Sequence, residues 1–291
     1  MMALVQNEET NRKLKKWLEQ PTMTNLLLVG KKGSGKFSTV KEILSDLYQT
    51  SDPFSRSNVY LIQPEDGRIG KDKIHGMIEM SCYISTEPKL FVIDDADLMG
   101  NEAQNALLKL LEDKEDTHPV ILVAHHPLIP TIVSRCTTIP FGTPSQEEAE
   151  AVIGTINPTL WKASEGTIGI YQMLMESKDF ENLCARVHKA VLYGTKADVL
   201  KAFGCMKEKD KEMLLDAWSR NEVDALFAFL KESFMEVLEG TEKPAAICTG
   251  SGFLRDIVHN LELSRTMNRA KRFQASELMS LLMKINDGKG E

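Results

Sequence analysis

Near the amino end, Gly30-Lys31-Lys32-Gly33-Ser34-Gly35-Lys36-Phe37 carries the spacing G-x-x-x-x-G-K. Glycines let a chain turn so tightly that successive backbone N–H groups face one point, and the lysine adds a positive charge on a long arm; a phosphate is what such a turn holds. A lysine-decorated turn with no ligand would share this composition, so the flanking pattern decides the weight of the motif. The apolar run at 25–29 (NLLLV) reads as a buried strand, and 35–48 has helical spacing, with Val40, Ile43, Leu44 and Leu47 on one face. Phe37 stands where Ser or Thr would offer a hydroxyl to magnesium. Ser38 follows, one helical step or about 100° away. The nucleotide-binding set is therefore Gly30, Gly33, Ser34, Gly35, Lys36, Phe37 and Ser38, with poor metal positioning.

A second candidate is Leu90-Phe91-Val92-Ile93-Asp94-Asp95-Ala96-Asp97. Four apolar residues ending in an acid fit a strand that delivers Asp94 to a metal at its carboxyl end, with Asp95 in the place where a glutamate usually activates water. Acids also cap buried strands without any such task. The order of the two motifs within an α/β pattern makes the pair more specific than either one alone.

The elements that must position these residues alternate. Strands are predicted at 25–29, 59–62, 90–93, 120–124 and 138–141, and helices at 35–48, 72–82 and 102–112. Such alternation predicts a parallel sheet with helices on both faces. Beyond residues 142–144 the strand signals stop. Ser145, followed by Glu147 and Glu148, reads as a helix cap with an acidic first turn. Helical periodicity then recurs at 149–154, 168–175, 181–193, 197–206, 211–215, 223–238, 253–263 and 276–285. The expected architecture is a P-loop α/β domain over 1–142, a small helical piece over 143–176 and an all-helical domain over 177–291.

Composition narrows the classes. The 291 residues carry 35 Lys and Arg against 42 Asp and Glu, a net charge of −7, which disfavours nucleic-acid binding by bulk positive charge. No apolar run approaches the roughly 20 residues that span a bilayer. Residues 1–20 lack the continuous hydrophobic stretch of a secretory signal. Cys82, Cys136, Cys184, Cys205 and Cys248 are scattered, with no C-x-x-C pair, so neither a disulfide framework nor a zinc site is expected. The expectation is a soluble, cytoplasmic protein without a membrane or a metal.

Four stretches carry a family resemblance: Arg68-Ile69-Gly70-Lys71-Asp72-Lys73-Ile74; Val92-Ile93-Asp94-Asp95-Ala96-Asp97-Leu98-Met99; Glu102-Ala103-Gln104-Asn105-Ala106-Leu107-Leu108-Lys109-Leu110-Leu111-Glu112; and Pro130-Thr131-Ile132-Val133-Ser134-Arg135-Cys136. Together with the phosphate loop they resemble the AAA+ clamp-loader subunits of DNA replication, over about 25–141. The resemblance implies a RecA-like first domain, a helical lid and a C-terminal helical collar. It also implies a hetero-oligomer with gamma/tau-like and delta-like loader subunits, a sliding clamp and primed DNA as nonspecific partners, and ATP or ADP at a degenerate site with magnesium in doubt.

Carried over position by position, Arg135 matches the arginine finger that reaches a neighbouring subunit's ATP, where a planar, permanent charge suits a γ-phosphate. His125 or His126 lies near the sensor-1 position. Lys71 and Lys73 start the helix that faces DNA in related loaders. Ser164-Glu165-Gly166-Thr167-Ile168-Gly169 resembles the sensor-2 segment, with Gly169 where active ATPases have arginine. The zinc-binding cysteines of many relatives are missing. Phe37, Asp95 and Gly169 each remove a contributor to hydrolysis, so the expectation is a finger donor that turns over little ATP. The competing expectation is an active AAA+ ATPase in which Phe37 is tolerated. The basic cluster Arg265, Arg269, Lys271 and Arg272 reads as a solvated helix face, and Trp17, Trp161 and Trp218 as packing anchors.

Overall fold

The computed structural model describes residues 8–20, 23–83, 87–112, 118–177, 179–193, 196–202 and 220–238. The chain forms two compact units, Met1–Gly154 and Thr155–Glu291.

The first unit begins with α1 (Glu8–Leu18), a helix absent from the sequence expectations. Thr10, Leu14 and Trp17 recur at helical spacing and form its buried face. The Thr10 hydroxyl donates to the carbonyl of Pro140 at 2.9 Å, and Trp17 Nε1 donates to Thr24 Oγ1 at 3.2 Å. There follow β1 (Leu26–Gly30), α2 (Lys36–Tyr48), β2 (Val59–Ile62), α3 (Lys71–Cys82), β3 (Leu90–Ile93), α4 (Asn101–Leu111), β4 (Val120–Ala124), α5 (Pro130–Val133), β5 (Thr137–Phe141) and α6 (Gln146–Ile153).

The five strands are all parallel, in the order β2-β3-β4-β1-β5. Their side chains alternate between two apolar layers. Leu27, Phe91, Ile93, Leu122 and Ala124 face one layer, completed by Ile74, Met77, Leu107 and Leu110 of α3 and α4. Leu26, Leu28, Leu90, Val92, Ile121 and Val123 face the other, completed by Leu14, Trp17, Val40 and Leu44 of α1 and α2. Burial on both faces explains why these strands read as continuous apolar runs instead of alternating ones.

At the amino ends of the strands, Asn25 binds three elements together. Its side-chain oxygen accepts from Val120 N at 3.0 Å, its carbonyl accepts from Thr137 N at 2.8 Å, and its Nδ2 donates to Leu111 O at 3.5 Å. At the carboxyl end, Gly30 is required by close approach: a Cβ there would lie 2.3 Å from the Phe141 carbonyl oxygen. The cap expected at Ser145 is a full capping box, with Ser145 Oγ accepting from Glu148 N and Glu148 accepting from Ser145 N. Compactness groups α6 with the sheet unit, some residues past the change of composition at 142–144.

The described part of the second unit is helical: α7 (Pro158–Ala163), α8 (Ile168–Glu176), α9 (Phe180–Tyr193), α10 (Lys196–Ala202) and α11 (Arg220–Leu238). Asn157 caps α7, accepting from Thr159 N and Leu160 N. Lys162 pairs with Glu236 at 2.6 Å, and Ser177 Oγ donates to Glu222 at 2.7 Å, tying α7 and the end of α8 to α11. The helices expected at 211–215, 253–263 and 276–285, the end of the one at 197–206, and the basic cluster of Arg265 to Arg272 lie outside the described residues. Among the described residues no helix is long and apolar enough to cross a membrane.

Candidate functional site

Parallel strands deliver their carboxyl ends to one side, and the chemistry-bearing loops follow β1, β3 and β4 there. After β1 the chain turns through Gly33 (φ 78°) and Gly35 (φ 85°), left-handed conformations that glycine adopts without a Cβ clash. Gly35 caps α2, whose first-turn N–H groups have no carbonyl partner within the helix and carry its positive dipole end. Ser34 is buried in this turn. The Thr39 hydroxyl donates back to Gly35 O at 2.9 Å, fixing the first turn.

Lys36 is only 3% exposed. Its Nζ donates to the carbonyls of Gly30 and Lys31, both at 2.7 Å, and to Ser34 Oγ at 3.3 Å, and it lies 3.0 Å from His125 Nδ1. Burial lowers its pKa to about 8, against the pull of Asp97, Asp95 and Asp94. An ammonium can only donate, so with its three hydrogens shared among four acceptors a charged Lys36 favours the His125 tautomer with Nδ1 bare and the ring proton on Nε2. Nε2 lies 2.6 Å from Asp95 Oδ1. The His125 backbone N–H donates to Asp97 Oδ1 at 2.8 Å, which pins the end of β4 to the turn after β3.

The two acids after β3 are held differently. Asp94 accepts from the Asp95 N–H at 3.0 Å and from Gln63 Nε2 at 3.3 Å, and burial followed by the neighbouring Asp95 charge raises its pKa. The hydrogen bond from His125 lowers that of Asp95, whose φ of 50° aims it across the site. The structure thus brings together Gly30, Ser34, Lys36, Asp95 and His125, with Asp94 beside them. Of the two histidines, His125 is in the site and His126 is exposed on the loop beyond. Asp97 and Gln63 were not singled out from the sequence. Asp97 could have been, because it closes the same acidic run, whereas Gln63 gave no signal beyond following a strand.

Phe37 turns away into packing, its ring stacked on Phe54 with centroids 5.5 Å apart and planes 7° from parallel. Ser38 is exposed. The loop's glycines, the start of α2 and Lys36 suit a phosphate. For magnesium, Phe37 offers no oxygen where the loop would supply a hydroxyl, and Asp95 and Asp97 are engaged by His125, which leaves Asp94 as the carboxylate available at the strand end.

The remaining candidates lie elsewhere. Lys71 pairs with Glu102 at 3.1 Å, and Lys73 with Glu65 at 2.7 Å and the Gln63 carbonyl at 2.8 Å, so both charges are matched locally. Arg135 follows α5 and precedes β5. Its Nη1 donates to Thr131 O at 2.9 Å and its Nη2 to Glu112 Oε1 at 2.5 Å. In register, Leu26 faces Thr137 and Gly30 faces Phe141. Arg135 therefore lies beyond the amino end of the sheet, with the phosphate loop at the other end, about 13 Å or more along the strands. In the second unit, the sensor-2-like segment joins α7 to α8 with Glu165 and Gly166 both at positive φ, and Gly169 lies in the first turn of α8.

Residues 6–145 match the family described as DNA polymerase III, delta subunit. The chain is 32% identical over 155 residues to the probable replication factor C subunit 5 of Dictyostelium discoideum, covering 50% of this chain and 44% of that one. It is 29% identical over 134 residues to the DNA polymerase III subunit delta' of Bacillus subtilis, covering 40% and 41%. Over the α/β unit the chain resembles the AAA+ clamp-loader subunits. A solved gamma subunit-related protein of Thermotoga maritima superposes with a TM-score of 0.53 at 18% identity, covering 97% of this chain and 100% of that one, a likeness of fold. The chain spans less than half the length of these two curated relatives. The match over 6–145 takes in the phosphate loop, the acids after β3 and Arg135.

Proposed function

We propose that the chain is a delta-prime-like subunit of a DNA polymerase III clamp loader that donates Arg135 to the ATP site of a neighbouring subunit and hydrolyses little ATP itself. The polarity of β5 carries this reading. Arg135 is fixed at the amino end of the sheet and the phosphate loop at the carboxyl end, so the guanidinium serves a nucleotide held by another molecule. Phe37 in place of a metal-binding hydroxyl, Asp95 in place of glutamate and Gly169 in place of arginine support weak turnover at the chain's own site. ATP or ADP held there would lay its phosphates on the start of α2 and Lys36, with Lys36 giving up its bonds to the Gly30 and Lys31 carbonyls.

In this reading 1–142 is the nucleotide-fold domain, 143–176 a lid and 177–291 a collar that assembles with gamma/tau-like and delta-like subunits. The assembly opens a sliding clamp and places it on primed DNA, with Lys71 and Lys73 on the nonspecific DNA face. The test is steady-state ATP hydrolysis by the reconstituted loader. Arg135→Ala should lower turnover by at least about tenfold, a conservative bound against the roughly 10³–10⁵ that an arginine finger contributes at one site, while Lys36→Ala leaves it unchanged. Loss of turnover with Lys36→Ala, or hydrolysis by the isolated chain, would instead make this subunit an active ATPase.

A further inference from the structure

Arg135 does not stand free before any partner arrives, and its surroundings are built from separate parts of the chain. Glu112 is the cap residue at the end of α4, with its N–H donating to Leu108 O at 3.0 Å. That end is anchored to the start of β1 by the Asn25–Leu111 bond. A carboxylate at the C-terminus of a helix meets the negative end of the dipole, an unfavourable position that a cation beside it relieves. Arg135 supplies that cation from 23 positions later in the chain.

The second tie, from Nη1 to Thr131 O, fixes the same guanidinium against the first turn of α5. Two of the five N–H donors of the fork are thereby engaged and three remain without a partner among the described residues. Arg135 keeps about a third of its side chain exposed. A long side chain that would otherwise sample many rotamers is held through both terminal nitrogens, with three of its N–H groups left available.

We infer that Glu112 is the positioning residue for Arg135, holding the guanidinium in one orientation at the amino end of the sheet so that its remaining N–H groups can meet an anionic group of a neighbouring molecule. This rests on the proposed role of Arg135 as a finger. Glu112 itself touches no nucleotide; it acts through the arginine.

Two experiments separate this inference from the reading beneath it. In the isolated full chain, the rate at which phenylglyoxal modifies Arg135, followed by peptide mass, should rise about two- to fivefold in Glu112→Gln, the range by which exposed ion pairs bias a side chain. Glu112→Asp should return it toward the native rate. An unchanged rate in Glu112→Gln overturns the inference whatever Arg135 does in the assembly. In the reconstituted loader, Glu112→Gln should lower kcat for ATP about two- to fivefold with KM for ATP shifted less. The same substitution in an Arg135→Ala background should change nothing further. A further loss in that background shows Glu112 acting by another route and overturns the inference. Full turnover in Arg135→Ala overturns the finger reading, and the labelling rates still decide what holds the guanidinium.

Discussion

Lys36 makes the stability of the α/β unit depend on pH in a direction opposite to that of a surface lysine in an ion pair. Burial brings its pKa from 10.5 to about 8 in the folded chain. Below pH 8 the lysine is charged in both folded and unfolded chains, and the penalty of burying the charge is present in full. Between 8 and 10.5 the unfolded chain binds more protons than the folded one, so stability rises with pH until the penalty is gone. At 1.36 kcal/mol per unit of pKa difference, the gain from pH 7 to pH 10 is about 2.5 kcal/mol. Lys36→Met keeps the length of the arm and removes the charge.

The assay is urea unfolding of both proteins at pH 7, 9 and 10, in a background where Trp161 and Trp218 are phenylalanine. Trp17, 3% exposed on the buried face of α1, then reports on the α/β unit alone. Subtracting the variant from the native chain cancels the groups common to both. The difference should rise by about 2.5 kcal/mol from pH 7 to pH 10 in favour of the native lysine. A flat or falling difference would mean that the ammonium is not held in a desolvated site, and the account of the loop given above would fail.

Two further outcomes follow from packing. Gly30→Ala places a Cβ 2.3 Å from the Phe141 carbonyl oxygen, so β1 and β5 must part; a loss of about 2–3 kcal/mol in urea unfolding is expected, and a loss under about 0.5 kcal/mol would show that the strands give way easily. Burial pushes the Cys136 and Cys184 thiols up to about 12, whereas Cys82 is exposed at the end of α3. Cys184 is buried and Cys136 half-buried, so maleimide at pH 8, read by peptide mass, should label Cys82 at least about 100-fold faster than Cys184 and faster than Cys136, and equal rates for Cys82 and Cys184 would refute the burial of the latter.

The legibility of this fold was uneven, for physical reasons. Strands buried on both faces need uninterrupted apolar runs, and the runs at 59–62, 90–93 and 120–124 coincide with the observed strands residue for residue. The phosphate loop was legible because its glycines answer to backbone conformation, and Gly33 and Gly35 do take positive φ. α1 escaped notice because its buried face is only Thr10, Leu14 and Trp17 among charged residues, a stripe that identifies itself only once an edge strand is known to need a cover. The role of His125 was equally hidden. Nothing in a histidine pair before a proline tells which ring turns inward, and the choice depends on Asp97 holding the backbone of one of them. The ion pairs of Lys71 and Lys73 join residues separated in sequence, and the sequence shows a lysine without showing its partner.

Within the phosphate loop, two neighbouring residues have moved in different directions. Lys36 is retained in a buried position that destabilises the fold at neutral pH, with two of its bonds going to the carbonyls of its own loop. Phe37 does the reverse: its ring stacks on Phe54 and its position contributes packing where a hydroxyl would have contributed a metal ligand. Stability alone favours losing the first as much as keeping the second, since burying a charge and leaving an aromatic ring unpacked are both unfavourable. A loop under no demand but packing would carry an apolar residue at both positions, and a loop built for hydrolysis would carry a lysine followed by a hydroxyl. The combination present, a buried lysine beside a ring where a metal-binding hydroxyl would stand, fits the proposed subunit that holds phosphate without promoting its transfer.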